Sequence, residues 1–300
     1  MARIELPTRG LHLEFESHGR RDAPAVILIM GLGLQLVSWP PELIDALVAA
    51  GRRVIVFDNR DIGLSGSGLL PTHYTRPARA LVAHLLHQPF TPAYRIGDMA
   101  ADTLALADAL QIGRFDIVGV SLGGMIGQTL AARFPERVRT LTSIMSSAGP
   151  RTAPWPNPAL LWRFLQPPPR GEDLDAKLRH FLGLIQALGH ISEREELDRL
   201  RARLTLSLQR AYNPAGSARQ LMAVLADPDR SDEVARIRCP TLIIHAADDP
   251  LVPLPAARHL ARLLPHARLE IIERMGHYLP ASAMPELARL TIAHLRNAPH

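Results

Sequence analysis

The chain has 300 residues but a single cysteine, Cys239, and a single lysine, Lys177. One cysteine excludes an internal disulfide and fits a reducing compartment, so a cytoplasmic protein is expected. Cys239 stands directly before an apolar run, which gives it a packing role. The net charge of +5 and the pI near 10.1 are carried almost wholly by arginines scattered along the chain. A nucleic-acid-binding protein would gather them into a stripe, so no nucleic-acid partner is expected. The densest group, Arg199, Arg201 and Arg203, follows Glu193, Glu195, Glu196 and Asp198 at spacings that pair opposite charges along a helix.

Long hydrophobic runs are lacking too. The longest, Ala25 to Leu34, falls far short of the ~20 residues of a membrane helix, and its glycines suit a strand entering a loop. No membrane span is expected. Glu5, Glu14, Glu16 and Asp22 interrupt any apolar stretch near the start, so no secretory leader is expected either. What the chain does have is 47% hydrophobic against 21% charged residues, a balance that can bury a large interior.

Short runs rich in Val, Ile and Leu alternate with longer helical patterns, which predicts an α/β fold with a mostly parallel sheet covered by helices on both faces. Seven strands are expected, at Leu11 to Ser17, Ala25 to Met30, Arg53 to Asp58, Phe115 to Val120, Thr140 to Met145, Thr241 to His245 and Ala267 to Ile272. Helices are expected at Pro41 to Ala50, Ile96 to Leu110, Leu122 to Phe134, Pro255 to Leu264 and Met284 to Arg296. In the second of these, Met99, Thr103, Leu106 and Leu110 share the face that packs on the sheet. The alternation stops between about Gly149 and Asp232, where prolines give way to amphipathic helices. The expected organisation is therefore a core of residues 1–148 and 233–300 carrying a helical cap, or lid, of residues 149–232. Trp155, Leu160, Leu161, Trp162, Phe164 and Leu165 at the cap's entry are expected to form the cap's own core, with a pocket-lining role as the alternative.

Gly119-Val120-Ser121-Leu122-Gly123 matches the nucleophile elbow G-x-S-x-G, a strained turn between a strand and a helix. Alone, the pattern is common by chance; here a buried strand precedes it and a helix pattern follows. A serine hydroxyl needs a base to take its proton, and a carboxylate to orient that base. On a sheet of this kind the order is serine, acid, histidine, each on a loop at the C-terminal edge. His277 is the sole histidine between the last strand and the last helix. Asp248 and Asp249 both follow strand Thr241 to His245, and spacing alone allows either. No carboxylate follows strand Thr140 to Met145 before Glu172, and Asp116 begins its strand, at the wrong edge to meet His277.

Met30-Gly31-Leu32-Gly33, Phe57 to Ser65, Gly119 to Gly124, Asp249 to Pro253 and Gly276-His277 together resemble the motifs of the α/β-hydrolase superfamily, in that family's order. The stretch Ile29 to Ser65, with Trp39-Pro40 and Arg60-Asp61, is similar to small bacterial esterases such as the aclacinomycin methylesterases. The resemblance implies Asp249 as the acid, since Asp249 to Pro253 follows the pattern aspartate, two variable residues, valine, proline. It also implies an oxyanion hole from the backbone N–H groups of Leu32 and Leu122, with Met30 where many relatives have histidine. Asp58, Arg60 and Gly63 are expected to fix a turn and a buried ion pair.

The expected activity is cleavage of a carboxylic ester, small to medium with an apolar acyl or alcohol part, through an acyl-enzyme. Carbon–carbon bond hydrolysis, enol-lactone opening and cofactor-free perhydrolysis use the same triad and are the alternatives. An inactive ligand-binding relative is the alternative outside catalysis. Haloalkane dehalogenases and epoxide hydrolases carry aspartate where this chain has Ser121. His84 and His87 share a helix face without a third ligand, and no phosphate loop or dinucleotide fingerprint occurs, so no metal and no cofactor are expected.

Overall fold

A computed structural model of the chain describes residues 1–66, 77–149, 158–166, 169, 171–189, 191 and 193–297. In chain order it forms β1 (Ala2–Leu6), β2 (Leu11–His18), β3 (Ala25–Ile29), α1 (Pro41–Ala49), β4 (Arg53–Phe57), α2 (Pro77–Leu85) and α3 (Ile96–Ala109). There follow β5 (Phe115–Val120), α4 (Leu122–Arg133), β6 (Val138–Ile144) and five helices: α5 (Pro158–Leu165), α6 (Leu174–Leu188), α7 (Arg194–Arg210), α8 (Pro214–Leu225) and α9 (Ser231–Val234). The chain then returns through β7 (Thr241–Ala246), α10 (Pro255–Leu263), β8 (Arg268–Ile272) and α11 (Met284–Arg296).

The strands form one eight-stranded sheet in the order β1-β2-β4-β3-β5-β6-β7-β8. β1 and β2 run antiparallel to their neighbours, and every pairing from β4 through β8 is parallel. The sheet thus has one strand more than expected. β1 escapes a search for apolar runs because Arg3 and Glu5 alternate with Ile4 and Leu6 on an edge strand that is largely exposed. Charged residues suit such an edge, because they discourage pairing with another chain.

Neighbouring residues of the central strands point to opposite faces and supply two separate cores. Ile27, Ile29, Ile55, Phe57, Ile117 and Ile243 pack under α3, α4 and α10. Val26, Leu28, Val54, Val56, Val118 and Ile244 pack under α1 and α11. On α3, Met99, Thr103 and Leu106 are buried as expected, while Leu110 at its end is half-buried. α4 is buried from Leu122 through Ala131, which is why its sequence is apolar or small nearly all round.

No strand occurs among the described residues between β6 and β7. The helices there have a small core of their own, Leu178, Leu200 and Leu204, against which Phe181 and Tyr278 pack. At the start of the segment Leu160 is buried and Trp162 is 67% exposed. Trp155 and the side chains of Leu161, Phe164 and Leu165 lie outside the described residues.

Candidate active site

The turn from β5 into α4 places Ser121 at φ 54°, ψ −116°, a region that costs a non-glycine residue about 1–3 kcal/mol. The surroundings hold it there. Its N–H donates to Ile144 O at 2.8 Å, and its carbonyl accepts from Ser146 Oγ at 2.8 Å and from the Met125 N–H at 3.2 Å. The flanking glycines are required by space: a Cβ on Gly119 would lie 2.2 Å from Gly123 O, and one on Gly123 would lie 1.9 Å from Ile29 O.

The loop after β8 brings the His277 ring to the serine, with Nε2 3.0 Å from Ser121 Oγ. The loop after β7 brings Asp249 to the other side of the ring, with Oδ2 2.7 Å from His277 Nδ1. A carboxylate can only accept, so Nδ1 carries the proton and Nε2 presents a lone pair to the serine hydroxyl. The other oxygen of Asp249, Oδ1, accepts from the N–H groups of Leu251 at 2.9 Å and Val252 at 2.8 Å. Burial alone would push the Asp249 carboxyl up; the charge and hydrogen bond of His277 and the Val252 N–H outweigh it and hold the group below the usual carboxylate range. Asp248 is exposed and Asp249 buried, so the structure separates two residues that spacing could not.

Sequence reasoning missed His245 at the end of β7. It is fully buried, donates from Nε2 to Val252 O at 2.8 Å, and lies 3.8 Å from Asp249 Oδ2. Burial pushes its imidazole pKa down, so it stays neutral behind the acid and braces the 249–252 turn. The available signal was a histidine inside an otherwise apolar strand.

Residues 24–282 match the protein family described as alpha/beta hydrolase fold. The chain belongs to the α/β-hydrolase family. A rhodomycin D methylesterase of Streptomyces peucetius is 33% identical over 298 residues, which cover 92% of each chain. A 3-oxoadipate enol-lactonase of Acinetobacter baylyi is 28% identical, covering 89% of this chain and 87% of its own. Among solved structures, the enol-lactonase of Burkholderia xenovorans superposes with a TM-score of 0.73 at 21% identity, over 96% of this chain and 98% of that one.

Leu32 and Leu122 of this hydrolase lie on the two loops that meet at Ser121: a Cβ on Gly31 would be 3.5 Å from Ser121 Cβ, and Leu122 opens α4. Asp58 and Arg60 belong to two separate ion pairs rather than one, and Gly63, at φ +59°, lies where a side chain would collide with the Asp58 carboxylate. Asp58 accepts from the N–H groups of Leu36 and Leu64 and pairs at 2.6 Å with Arg210, at the end of α7. Arg60 makes a two-pronged contact with Asp102 on α3, both bonds 2.6 Å. Asp116 is fully buried and pairs with Arg52 and Arg139 and with Thr140 Oγ1, all remote from His277.

Further helical residues reach the site. The His277 N–H donates to Leu188 O at the end of α6, at 2.6 Å. The next residue, Tyr278, donates its hydroxyl proton to Glu196 of α7 at 2.7 Å, and the other carboxylate oxygen accepts the Ala281 N–H at 3.1 Å. A groove of about 560 Å³ is lined by Gly276, Tyr278, Glu42, Glu196, Arg199 and others; Ser121 and Asp249 are not among its lining residues. His84 Nδ1 donates to Leu225 O at 2.8 Å, and the described residues contain no group of three His, Cys, Asp or Glu arranged to hold a metal. No described helix is long and apolar enough to cross a membrane.

Proposed function

We propose that this hydrolase cleaves a carboxylic ester in two steps, with Ser121 as nucleophile, His277 as general base and acid, and Asp249 as the group that orients His277. The observation that carries the reading is the unbroken chain Ser121 Oγ, His277, Asp249, at 3.0 and 2.7 Å, with the serine held on a strained turn. Ser121 Oγ attacks the ester carbonyl while its proton passes to His277 Nε2. The negative charge that develops on the carbonyl oxygen rests on the N–H groups of Leu32 and Leu122, donors that need no reorganisation during the reaction. His277 then protonates the leaving alcohol. A water activated by the same ring hydrolyses the acyl-enzyme.

The methylesterase relative supports a methyl or other small alcohol as leaving group. We assign residues 149–232 the role of a cap that excludes water and favours an apolar acyl part. A cytoplasmic setting suits a chain whose one cysteine, Cys239, is a buried free thiol pushed up to about 11 by that burial. Opening of an enol-lactone is the second reading, favoured by the lactonase relative. It uses the same steps with the leaving group tethered to the acyl part.

The test is a panel of methyl and p-nitrophenyl esters of rising acyl length together with an enol-lactone, and labelling by a fluorophosphonate read by mass spectrometry. We expect label on Ser121 alone and kcat/KM rising with apolar acyl size. Label elsewhere rejects the nucleophile, a flat panel rejects the apolar cap, and turnover of the lactone alone moves the substrate to the second reading.

A further inference from the structure

The loop that carries Leu32 is a four-residue turn, Gly31 to Leu34, closed by a Leu34 N–H to Gly31 O bond of 3.3 Å, with Gly33 at φ +73° in the third position. A positive φ there is the mark of a type II turn, which differs from type I mainly by a flip of the central peptide, the one bearing the Gly33 N–H. Gly33 can take φ of either sign, so this flip, which would turn the Leu32 carbonyl next to the Leu32 N–H, is open to the loop. Something must therefore hold the peptide, and the candidate comes from the helical segment. The Gly33 N–H donates to Gln220 Oε1 at 2.9 Å, and Gln220 Nε2 donates to Arg60 O at 3.0 Å. Gln220 lies on α8 and is fully buried. A backbone N–H can only donate and a carbonyl can only accept, so the two contacts leave the amide one orientation. Ser217, one turn earlier, packs where a Gly33 side chain would begin, 3.1 Å from its Cβ position.

We infer that Gln220 is a positioning residue for catalysis: through the Gly33 N–H it holds the Leu32 loop in the conformation that stabilises the oxyanion. The inference rests on the serine-hydrolase reading above. Glutamine suits the task because one uncharged side chain both accepts from the catalytic loop and donates to the loop after β4. Methionine has nearly the same shape, cannot donate, and accepts only weakly through sulfur.

The experiment compares Gln220→Met with the parent on one well-cleaved ester, and measures inhibition of both by phenylboronic acid, whose serine adduct is tetrahedral and places a charged oxygen in the hole. Removing a donor outright costs about 10²–10³ in kcat; displacing one should cost about tenfold to a hundredfold. We expect kcat to fall by that factor with KM within about threefold, and the boronate inhibition constant to rise in step with the loss of kcat. Unchanged kcat and boronate affinity, with only a lower urea midpoint, would assign Gln220 to stability and overturn the inference. If Gln220→Met does not fold, amide exchange in the parent decides. The Gly33 amide should exchange at least a hundredfold more slowly than an open loop amide, and fast exchange overturns the inference. A parent that neither turns over esters nor takes the fluorophosphonate label on Ser121 fails the underlying reading instead, a separable result.

Discussion

At the turn that carries Ser121, backbone lies directly on backbone, and a Cβ at Gly119 or Gly123 has no room. The helices between β6 and β7 add Ala223 and Val234 to the main core, but their directed contacts with it run through long polar side chains. Arg210 reaches Asp58, Asn213 donates to Asp61 O, Arg219 pairs with Asp61, Gln220 bridges Gly33 and Arg60 O, and Arg230 reaches Asp227, Gln128 and Ser147 O. Most of these groups are buried, so each polar atom needs its partner and the geometry is demanding. The contrast teaches that the turn is set by exclusion of volume, whereas the helical segment is set by matched charges and amides. The first tolerates no extra atom. The second tolerates little loss of a partner.

The largest expected effects belong to the turn. Ser121→Ala should keep the fold and lower turnover by about 10⁴ to 10⁶, or roughly 5–8 kcal/mol, because a nucleophile in the proposed role acts as part of a unit. A variant that keeps a tenth of the parent rate on the best ester removes the turn from the chemistry. Next, Asp249→Asn should cost about 10⁴ in turnover by letting His277 adopt the wrong tautomer, as in the serine-protease precedent. Asp248→Asn, at an exposed position, should stay within about tenfold of the parent. Initial rates for both, with circular dichroism to confirm folding, exchange the two roles if the ranking inverts.

Two smaller effects probe the polar seam. Arg210→Met leaves the buried Asp58 with only backbone donors, and breaking such a pair costs about 3–5 kcal/mol. A urea midpoint unchanged from the parent would mean that charge does not hold this seam. At Asp227, burial pushes the carboxyl up to about 6 against the pull of Arg230. A folded value above the ordinary ~3.9 means the folded state keeps this proton longer than the unfolded chain does. Its contribution is then most favourable below about pH 4, declines as pH rises from 4 to 6, and is level above, a change of at most about 3 kcal/mol. Asp227→Asn should flatten that part of the stability curve; an identical slope in both proteins assigns the dependence to other groups.

Much of this was legible in the chain. Short continuous apolar runs located every central strand, because burial on both faces of a parallel sheet demands them, and helical patterns located α1, α3, α4, α10 and α11. Edge strand β1 was not legible, since half of it faces water. α2 was not expected, and the helices from α5 to α9 were read only as one undivided amphipathic segment, because their apolar stripes are clear but the loops and prolines between them do not fix where each begins. Ser121 and His277 could be singled out from local pattern and order along the chain, and the structure brings them to 3.0 Å.

The sequence by itself determined the sheet, the turn and the order of the three polar residues, because these depend on short-range sterics and on which residues seek the interior. Spacing left open which neighbouring aspartate faces His277, the family resemblance pointed to Asp249, and the fold puts that side chain on the ring; tertiary structure alone decided that Asp58 pairs with Arg210 rather than with Arg60, and that His245 lies behind Asp249. It also brought Gln220 and Leu188, far along the chain, onto the Leu32 and His277 loops. These are contacts between polar groups remote in sequence, and no periodicity records them. A buried glutamine or arginine looks like any surface residue until the fold supplies its partner.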